Sequence, residues 1–278
     1  VPGLGEVAGA ALAAHPGVDF VSFTGSPETG AKVQAAAAAH HAGCTLELGG
    51  KSPQIVFADA DLDAALPILL NAIVQNAGQT CSAGARVLVE ASLAETLTER
   101  LAEGFGGLRA GPPAADLHLG PLINARQKAR VERMCAQAEA DGLPLLATGE
   151  IAPEADPGGF YVAPRLYGPV PAGHMLAREE VFGPVLALTT FTDEAEAVAL
   201  ANGTDYGLVA GVWSRDGARA LRVARRLRAG QVFVNAYGAG GGIELPFGGF
   251  GKSGHGREKG FAGLEEFTTL RTLVVKHG

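Results

Sequence analysis

The chain has 278 residues, of which 47% are hydrophobic and 18% charged, so it can bury the core of one large domain or two small ones. Its net charge of -7 is spread without a basic run, which argues against a nucleic-acid-binding protein. No uncharged apolar stretch is long enough to span a membrane, and the three well-separated cysteines fit reduced thiols. We therefore expect a soluble, cytoplasmic protein. Because Val1 is not Met and opens a helix-like run, we also expect an upstream portion.

Strand-like and helix-like segments alternate along the chain. Residues 19–23 are predicted as a buried strand, after which Ser26 can cap a helix that Pro27 opens. Further strands are expected at residues 45–48, 54–57, 86–89, 143–147, 185–191, 208–213 and 231–235. Further helices are expected at residues 61–78, 92–104, 124–141, 193–202 and 216–229. This order predicts an α/β fold with a mainly parallel sheet flanked by helices.

The last predicted strand, residues 268–275, has no helix after it that could cover it. Leu270, Leu273, Val274 and Val275 make the segment too apolar for a solvated tail. We therefore expect it to pair with a strand of a neighbouring copy.

Cys81 stands among small residues, in the sequence Gly-Gln-Thr-Cys-Ser-Ala-Gly, directly after a predicted helix. Small neighbours leave the sulfur open to attack a substrate, as a nucleophile requires. A thiol with a pKa of about 8.5 is mostly protonated at neutral pH, so a helix terminus or a cation nearby must also stabilise its thiolate form. Taken alone, Cys81 is better explained as a small buried residue, so its context must favour the nucleophile.

Glu47 interrupts an otherwise apolar short strand, just before two glycines and Lys51. A buried carboxylate either meets a partner or has its pKa raised toward the range of a general base. Two interpretations remain open on these residues alone, a base and a structural Glu47–Lys51 ion pair.

These segments together resemble the aldehyde dehydrogenase superfamily. Its Glu-Leu-Gly-Gly-Lys and Gly-Gln-x-Cys motifs both occur here, in order and at the family's usual interval. Two further blocks match, Glu-Glu-Val-Phe-Gly-Pro-Val at residues 179–185 and Leu-Pro-Phe-Gly-Gly-Phe-Gly-Lys-Ser-Gly at residues 245–254. The resemblance covers the whole chain. It implies that residues 1–49 end a Rossmann-like cofactor domain, residues 50–250 form the catalytic domain, and residues 251–278 are a return segment with an oligomerisation strand.

The resemblance implies oxidation of a small-molecule aldehyde to the carboxylic acid with NAD or NADP. Cys81 would form a thiohemiacetal and then a thioester, and Glu47 would activate the water that hydrolyses the thioester. The Cys81 backbone N–H would be one oxyanion donor. The family's other donor, an asparagine, and a lysine that follows it are expected upstream of Val1.

For the cofactor, residues 23–30 form a strand-to-helix turn whose N–H groups can face a pyrophosphate. The turn lacks the G-x-G-x-x-G fingerprint and alone would suggest an ordinary capped helix. The resemblance assigns the phosphate contacts to Gly25, Ser26 and Gly30. It assigns a backbone contact with the nicotinamide to Leu48, binding of the ribose to Glu180, and packing against the nicotinamide to Phe182. Pro27 stands where the family usually has Thr, which removes one side-chain contact.

The resemblance also locates the aldehyde entrance at residues 234–247, with Asn235 and Phe247 as substrate-binding residues, and implies a homodimer or homotetramer. The histidines repeat no metal-ligand spacing, so we expect no metal. Two other functions stay open. One is a binding or assembly module without turnover, and the other is a CoA-acylating relative, against which Glu47 argues because such relatives generally lack the base.

Overall fold

The computed structural model describes residues 2–238 and 242–278 of the chain. Its strands are β1 Phe20–Thr24, β2 Gly43–Glu47, β3 Pro53–Val56, β4 Arg86–Glu90, β5 Arg109–Ala110, β6 Leu145–Thr148, β7 Glu150–Ile151, β8 Arg165–Tyr167, β9 Val185–Phe191, β10 Val209–Trp213, β11 Gln231–Val234 and β12 Gly254–His255. Its α-helices are α1 Ala10–Ala13, α2 Pro27–Ala38, α3 Leu62–Val74, α4 Ala94–Gly106, α5 Ala125–Ala140, α6 Met175–Arg178, α7 Glu194–Ala201, α8 Gly217–Ala224 and α9 Gly260–Glu266.

The larger sheet has seven strands in the order β11-β10-β3-β4-β9-β8-β6. All its neighbouring strands are parallel except β6 and β8, which are antiparallel. Alternate residues of each strand face opposite sides, so Val56 packs with α3 and α4 while Ile55 packs with α7 and α8. Both faces of the sheet are therefore covered by helices, and the predicted α/β fold with a mainly parallel sheet is confirmed.

A smaller sheet joins the two ends of the chain. Strands β1 and β2 pair in parallel, and β12 adds antiparallel to the other side of β2, with Gly254 opposite Glu47. The return segment, residues 251–278, therefore shares a sheet with residues 1–49. The carboxyl ends of β1 and β2 meet the amino ends of β3 and β4 at the Glu47–Lys51 and Cys81 segments.

The strand predicted at residues 268–275 pairs with no strand of the described chain, and its apolar side chains are exposed, with Leu270 98% and Val274 84% accessible. Its expected partner, another copy, stays a prediction. Among the helices of residues 2–238 and 242–278, none has both the length and the apolar character needed to cross a bilayer.

Candidate active site

The turn that carries Cys81 follows an abrupt end of α3. We predicted this helix to reach residue 78, but it ends at Val74, and Asn76 and Ala77 adopt left-handed φ values of 51° and 55°. Such a conformation costs a residue with a Cβ on the order of 1–2 kcal/mol, so the surrounding packing must hold it. The helical prediction was wrong here because neither residue is a helix breaker.

The Cys81 turn is packed directly against the Glu47 motif. A Cβ placed on Gly50 would lie only 2.2 Å from the carbonyl oxygen of Cys81, so a larger residue could not stand there. Beyond the turn, the Tyr237 hydroxyl donates a hydrogen bond to the Ser82 carbonyl oxygen at 2.7 Å. The two sequence motifs are thus in van der Waals contact through their backbones.

The pKa of the partly buried Cys81 thiol is raised, chiefly by desolvation and next by the negative charge of Glu180. The backbone N–H groups of Ser82 and of Cys81 itself act in the opposite direction. The cation expected from the sequence is not among the described groups that shift this pKa. What favours the thiolate here is therefore a pair of backbone dipoles.

The chain has two cysteines besides Cys81, and only Cys135 differs from it in exposure. Cys44 on β2 is partly exposed, Cys135 on α5 is buried at 1% accessibility, and all three are free thiols. Burial raises the pKa of both Cys44 and Cys135. Within the described ranges, no group of three or more His, Cys, Asp or Glu residues could hold a metal ion.

Glu47 ends strand β2 and is 2% exposed, yet neither of its carboxylate oxygens meets a hydrogen-bond donor in the described part of the chain. Burial raises its pKa to about 8, and the charge of Glu258 adds to this while Arg257 partly opposes it. Lys51 is also buried and its ammonium is likewise unpaired among these residues. The alternative of a structural Glu47–Lys51 ion pair is therefore excluded.

Gly248, in the block at residues 245–254, leaves room for the Glu47 carboxylate. A Cβ at this position would lie 2.8 Å from Glu47 Oε1 and 2.6 Å from the Gly256 carbonyl oxygen. Its φ of 154° is also one that residues with a Cβ rarely adopt. Our sequence reasoning missed this residue, although the two adjacent glycines at 248 and 249 of this block were a signal that backbone approaches another group there.

The Glu180 carboxylate lies against the Glu47 motif, where its Oε1 accepts a hydrogen bond from the Gly50 N–H at 2.9 Å. Burial raises its pKa to about 7, against the effects of this hydrogen bond and of the Lys51 charge. Conversely, burial first and then the charge of Arg86 lower the pKa of Lys51 to about 7. The predicted ribose-binding carboxylate is thus held beside the base motif by a backbone donor.

Two α5 side chains that the sequence did not single out hold the segment after Glu180. Arg130 donates to the Glu180 carbonyl oxygen at 2.8 Å, and Gln127 donates to the Phe182 carbonyl oxygen at 2.8 Å. Phe182 itself has a left-handed φ of 57°. The available signal was their spacing of three residues, which puts both on one face of a helix.

The predicted phosphate turn is present, but its groups already have partners. The Gly25 N–H donates to the Glu47 carbonyl oxygen at 3.0 Å, and the Ser26 hydroxyl caps α2 by accepting from the Thr29 N–H at 3.3 Å. A Cβ on Gly30 would lie 2.6 Å from the Leu48 side chain, so this glycine lets α2 pack closely on the residue that follows β2. Their roles as phosphate contacts stay predictions.

The two predicted substrate-binding residues have different surroundings. Phe247 is 9% exposed and packs with Leu208 and Val209 in the apolar cluster that Cys81 borders. Asn235 instead binds the backbone of Ser214, accepting from its N–H at 3.0 Å and donating to its carbonyl oxygen at 2.9 Å. The Asn235 amide therefore ties the end of β11 to the end of β10, and its role as a substrate-binding residue stays a prediction.

Known proteins are similar to this chain along nearly its whole length. The aldehyde dehydrogenase family model matches residues 1–273. Betaine aldehyde dehydrogenase of Cereibacter sphaeroides is 44% identical over 279 residues, covering 100% of this chain and 57% of that protein. A crystal structure of a protein from Burkholderia cenocepacia matches at 65% identity with a TM-score of 0.98, covering 100% of this chain and 58% of that one. The NAD+ complex of an aldehyde dehydrogenase from Bacillus cereus matches at 38% identity with a TM-score of 0.92, covering 97% of this chain and 54% of that one.

This chain therefore spans just over half the length of each of these relatives. The family model, by contrast, matches nearly all of it, and the relatives align along all or almost all of it. The chain belongs to the aldehyde dehydrogenase family.

Proposed function

We propose that this chain carries the nucleophile and the base of an NAD(P)-dependent oxidation of aldehydes to carboxylic acids, with Cys81 and Glu47 in these roles. The observation that carries the proposal is that the Glu47 carboxylate is buried and meets no hydrogen-bond donor among the described residues. A fully buried carboxylate without a hydrogen-bond donor is costly to maintain for structure alone, and a pKa of about 8 suits a base that works near neutral pH.

In the first half of the proposed reaction, the Cys81 thiolate attacks the aldehyde carbon, and the carbonyl electron pair moves onto the oxygen. The Cys81 and Ser82 N–H groups donate to no other group among the described residues, so the Cys81 N–H is available to this oxyanion. A bound nicotinamide would accept hydride from the same carbon, which leaves a thioester on Cys81.

In the second half, water attacks the thioester carbon while Glu47 takes a proton from it. The carbon–sulfur bond then breaks, which releases the carboxylic acid and restores the Cys81 thiolate. Glu47 must lose this proton to the solvent before the next turnover. The role of Glu47 is therefore confined to the hydrolytic half of the reaction.

The residues on the nicotinamide side fit such a cofactor. One oxygen of Glu180 is fixed by the Gly50 N–H, and the carboxylate has further lone pairs that can accept hydrogen bonds from a ribose diol. Phe182 is partly exposed beside it, and Leu48 follows the base on the same motif. We propose Glu180, Phe182 and Leu48 as the nicotinamide-side contacts, and the capped α2 turn at Gly25, Ser26 and Gly30 as the phosphate side.

The proposal is tested by aldehyde-dependent formation of NAD(P)H in the protein that contains this chain, beginning with betaine aldehyde because relatives carry that name. We expect reduced cofactor and carboxylic acid in equal amounts. No turnover with any aldehyde would favour a binding or assembly module. An acyl-CoA product when CoA is added would favour the CoA-acylating alternative.

The pKa of Glu47 makes a prediction about pH. Only the ionised carboxylate can accept a proton from water, and with a pKa of about 8 roughly a tenth is ionised at pH 7. The steady-state rate at saturating aldehyde should therefore rise about fivefold from pH 7 to pH 8 and level off above pH 9. Rates measured across this range test it, and a flat profile with hydrolysis limiting would contradict it.

The contact between Gly248 and Glu47 makes a second prediction. Gly248→Ala should displace the Glu47 carboxylate and lower the steady-state rate by roughly tenfold or more, while the first turnover still releases NAD(P)H. Stopped-flow absorbance separates the two phases. Gly106→Ala is the matched control, since nothing lies within 4 Å of a Cβ at that glycine, and it should leave both phases unchanged.

We further propose that the protein assembles as a homodimer or homotetramer in the cytoplasm. The exposed apolar side chains of residues 268–275 support assembly, and the free thiols support a reducing compartment. Deleting the residues after Glu266 should lower the mass of the particle measured by light scattering. An unchanged mass would remove the C-terminal segment from the interface.

A further inference from the structure

Tyr237 lies in the segment at residues 234–247, and its side chain reaches the nucleophile turn from another element. It follows β11, and its partly buried ring packs in the apolar cluster that Cys81 and Phe247 share. Its hydroxyl donates to the Ser82 carbonyl oxygen at 2.7 Å, across 155 residues of sequence. Burial raises the pKa of the Tyr237 phenol, so it remains protonated and able to donate at any pH of interest.

Ser82 is the residue whose orientation matters for the sulfur. Its own N–H is the stronger of the two backbone groups that lower the pKa of Cys81. Its carbonyl, on the far side of the same α-carbon, is the group that Tyr237 holds. The N–H and the carbonyl belong to the two peptide units that meet at the Ser82 α-carbon. Because the hydrogen bond from Tyr237 fixes the second unit, it narrows the range of φ and ψ through which the first unit can turn its N–H away from the sulfur.

We propose that Tyr237 is a positioning residue for the nucleophile, whose hydroxyl fixes Ser82 so that the Ser82 N–H faces the Cys81 sulfur. The inference rests on the proposed function for its importance to turnover. The orientation of Ser82, however, affects the reactivity of the Cys81 thiol, and this reactivity can be measured without aldehyde or cofactor.

The test is the rate at which iodoacetamide alkylates Cys81 in Tyr237→Phe, followed by peptide mapping over a range of pH. Without the hydroxyl, the thiolate loses part of its N–H stabilisation. We expect Cys81 to react about threefold more slowly at a given pH below the plateau, with the midpoint about half a pH unit higher. Cys44 in the same sample should react at its unchanged rate, and kcat should fall about threefold with KM within about twofold.

Two further variants separate the effect of the Tyr237 hydroxyl from the effect of its ring and from the effect of removing any tyrosine hydroxyl. Tyr161→Phe removes a hydroxyl from a buried tyrosine that lines a different hollow, beside Lys128 and Arg165, and should leave the alkylation profile unchanged. Tyr237→Leu removes the ring as well, so it should show the same shift together with a lower Tm. A wild-type profile in Tyr237→Phe, or a shift found only in Tyr237→Leu, would overturn the proposal in favour of simple packing.

These outcomes are distinguishable from failure of the proposed function. If no aldehyde is oxidised but the alkylation profile shifts, the positioning role of Tyr237 stands and the oxidation does not. If oxidation is found and the profile does not shift, only the role of Tyr237 is lost.

Discussion

Cys81→Ala should reduce aldehyde oxidation by on the order of 10⁴-fold or more, because no other group can form the thioester that precedes hydrolysis. Cys81→Ser should be nearly as inactive, since an alcohol is far less ionised than a thiol at the same pH. Both changes are small, and Cys81 is only partly buried, so we expect Tm to shift by a few degrees at most. Initial rates of NAD(P)H formation and a thermal melt measure the two effects separately.

The matched controls are Cys44→Ala and Cys135→Ala, which remove the other free thiols of the chain. Both should oxidise aldehyde at near wild-type rates, although Cys135→Ala should lose some stability because its sulfur is buried in the core around α5. A stoichiometric thiol reagent offers a check that needs no mutation. If it inactivated the enzyme while labelling only Cys44 or Cys135, the assignment of Cys81 would fail.

The helices and strands were largely predictable because their signals are local. Ser26 and Pro27 mark the start of α2, and the structure confirms both the cap and the helix. The end of α3 was not predictable, because Asn76 and Ala77 adopt a left-handed conformation that neither residue type requires, in a turn closed by hydrogen bonds between Asn76 and Gln79. The pairing of β12 with β2 also depends on contacts between the two ends of the chain, which no local pattern contains.

The candidate site was likewise predictable only in part, where its signals are local. The motifs identify Glu47 and Cys81, and Glu47 is buried because both faces of β2 are covered at this end, with Thr45 and Leu46 buried before it. The partners that fix the motifs come from distant parts of the chain. The Ser253 hydroxyl donates to the Gly49 carbonyl oxygen at 2.7 Å, and Tyr237 binds the Ser82 carbonyl. Such side-chain to backbone contacts have no sequence pattern, so they required the structure.

Glu47→Gln should separate the two halves of the reaction. Hydride transfer does not need this carboxylate, so the first turnover should release NAD(P)H in a burst of about one equivalent per active site. The thioester should then persist, because an amide cannot take the proton from water, and the steady-state rate should fall roughly 10²-fold or more. Stopped-flow absorbance measures the burst, and mass spectrometry of the acid-quenched protein should find the acyl group on Cys81.

The same substitution should change stability in a pH-dependent way, which provides an independent check. Burial raises the pKa of Glu47 in the folded protein from 4.5 to about 8, so the folded state binds a proton that the unfolded state has released between these values. Its contribution to stability is therefore fully present below about pH 4.5 and is lost as the pH rises toward about 8. Since glutamine does not titrate, the stability of Glu47→Gln relative to wild type should increase over this interval by about 4 kcal/mol.

Urea unfolding at the two ends of that interval measures this difference, and comparing pH values cancels the constant cost of a buried amide. Loss of the burst together with turnover would mean that Glu47 acts earlier, in generating the Cys81 thiolate. A burst that survives while the stability difference stays constant with pH would keep Glu47 as the base. It would also show that its pKa is lower than burial alone demands, because a donor reaches the carboxylate in the assembled enzyme.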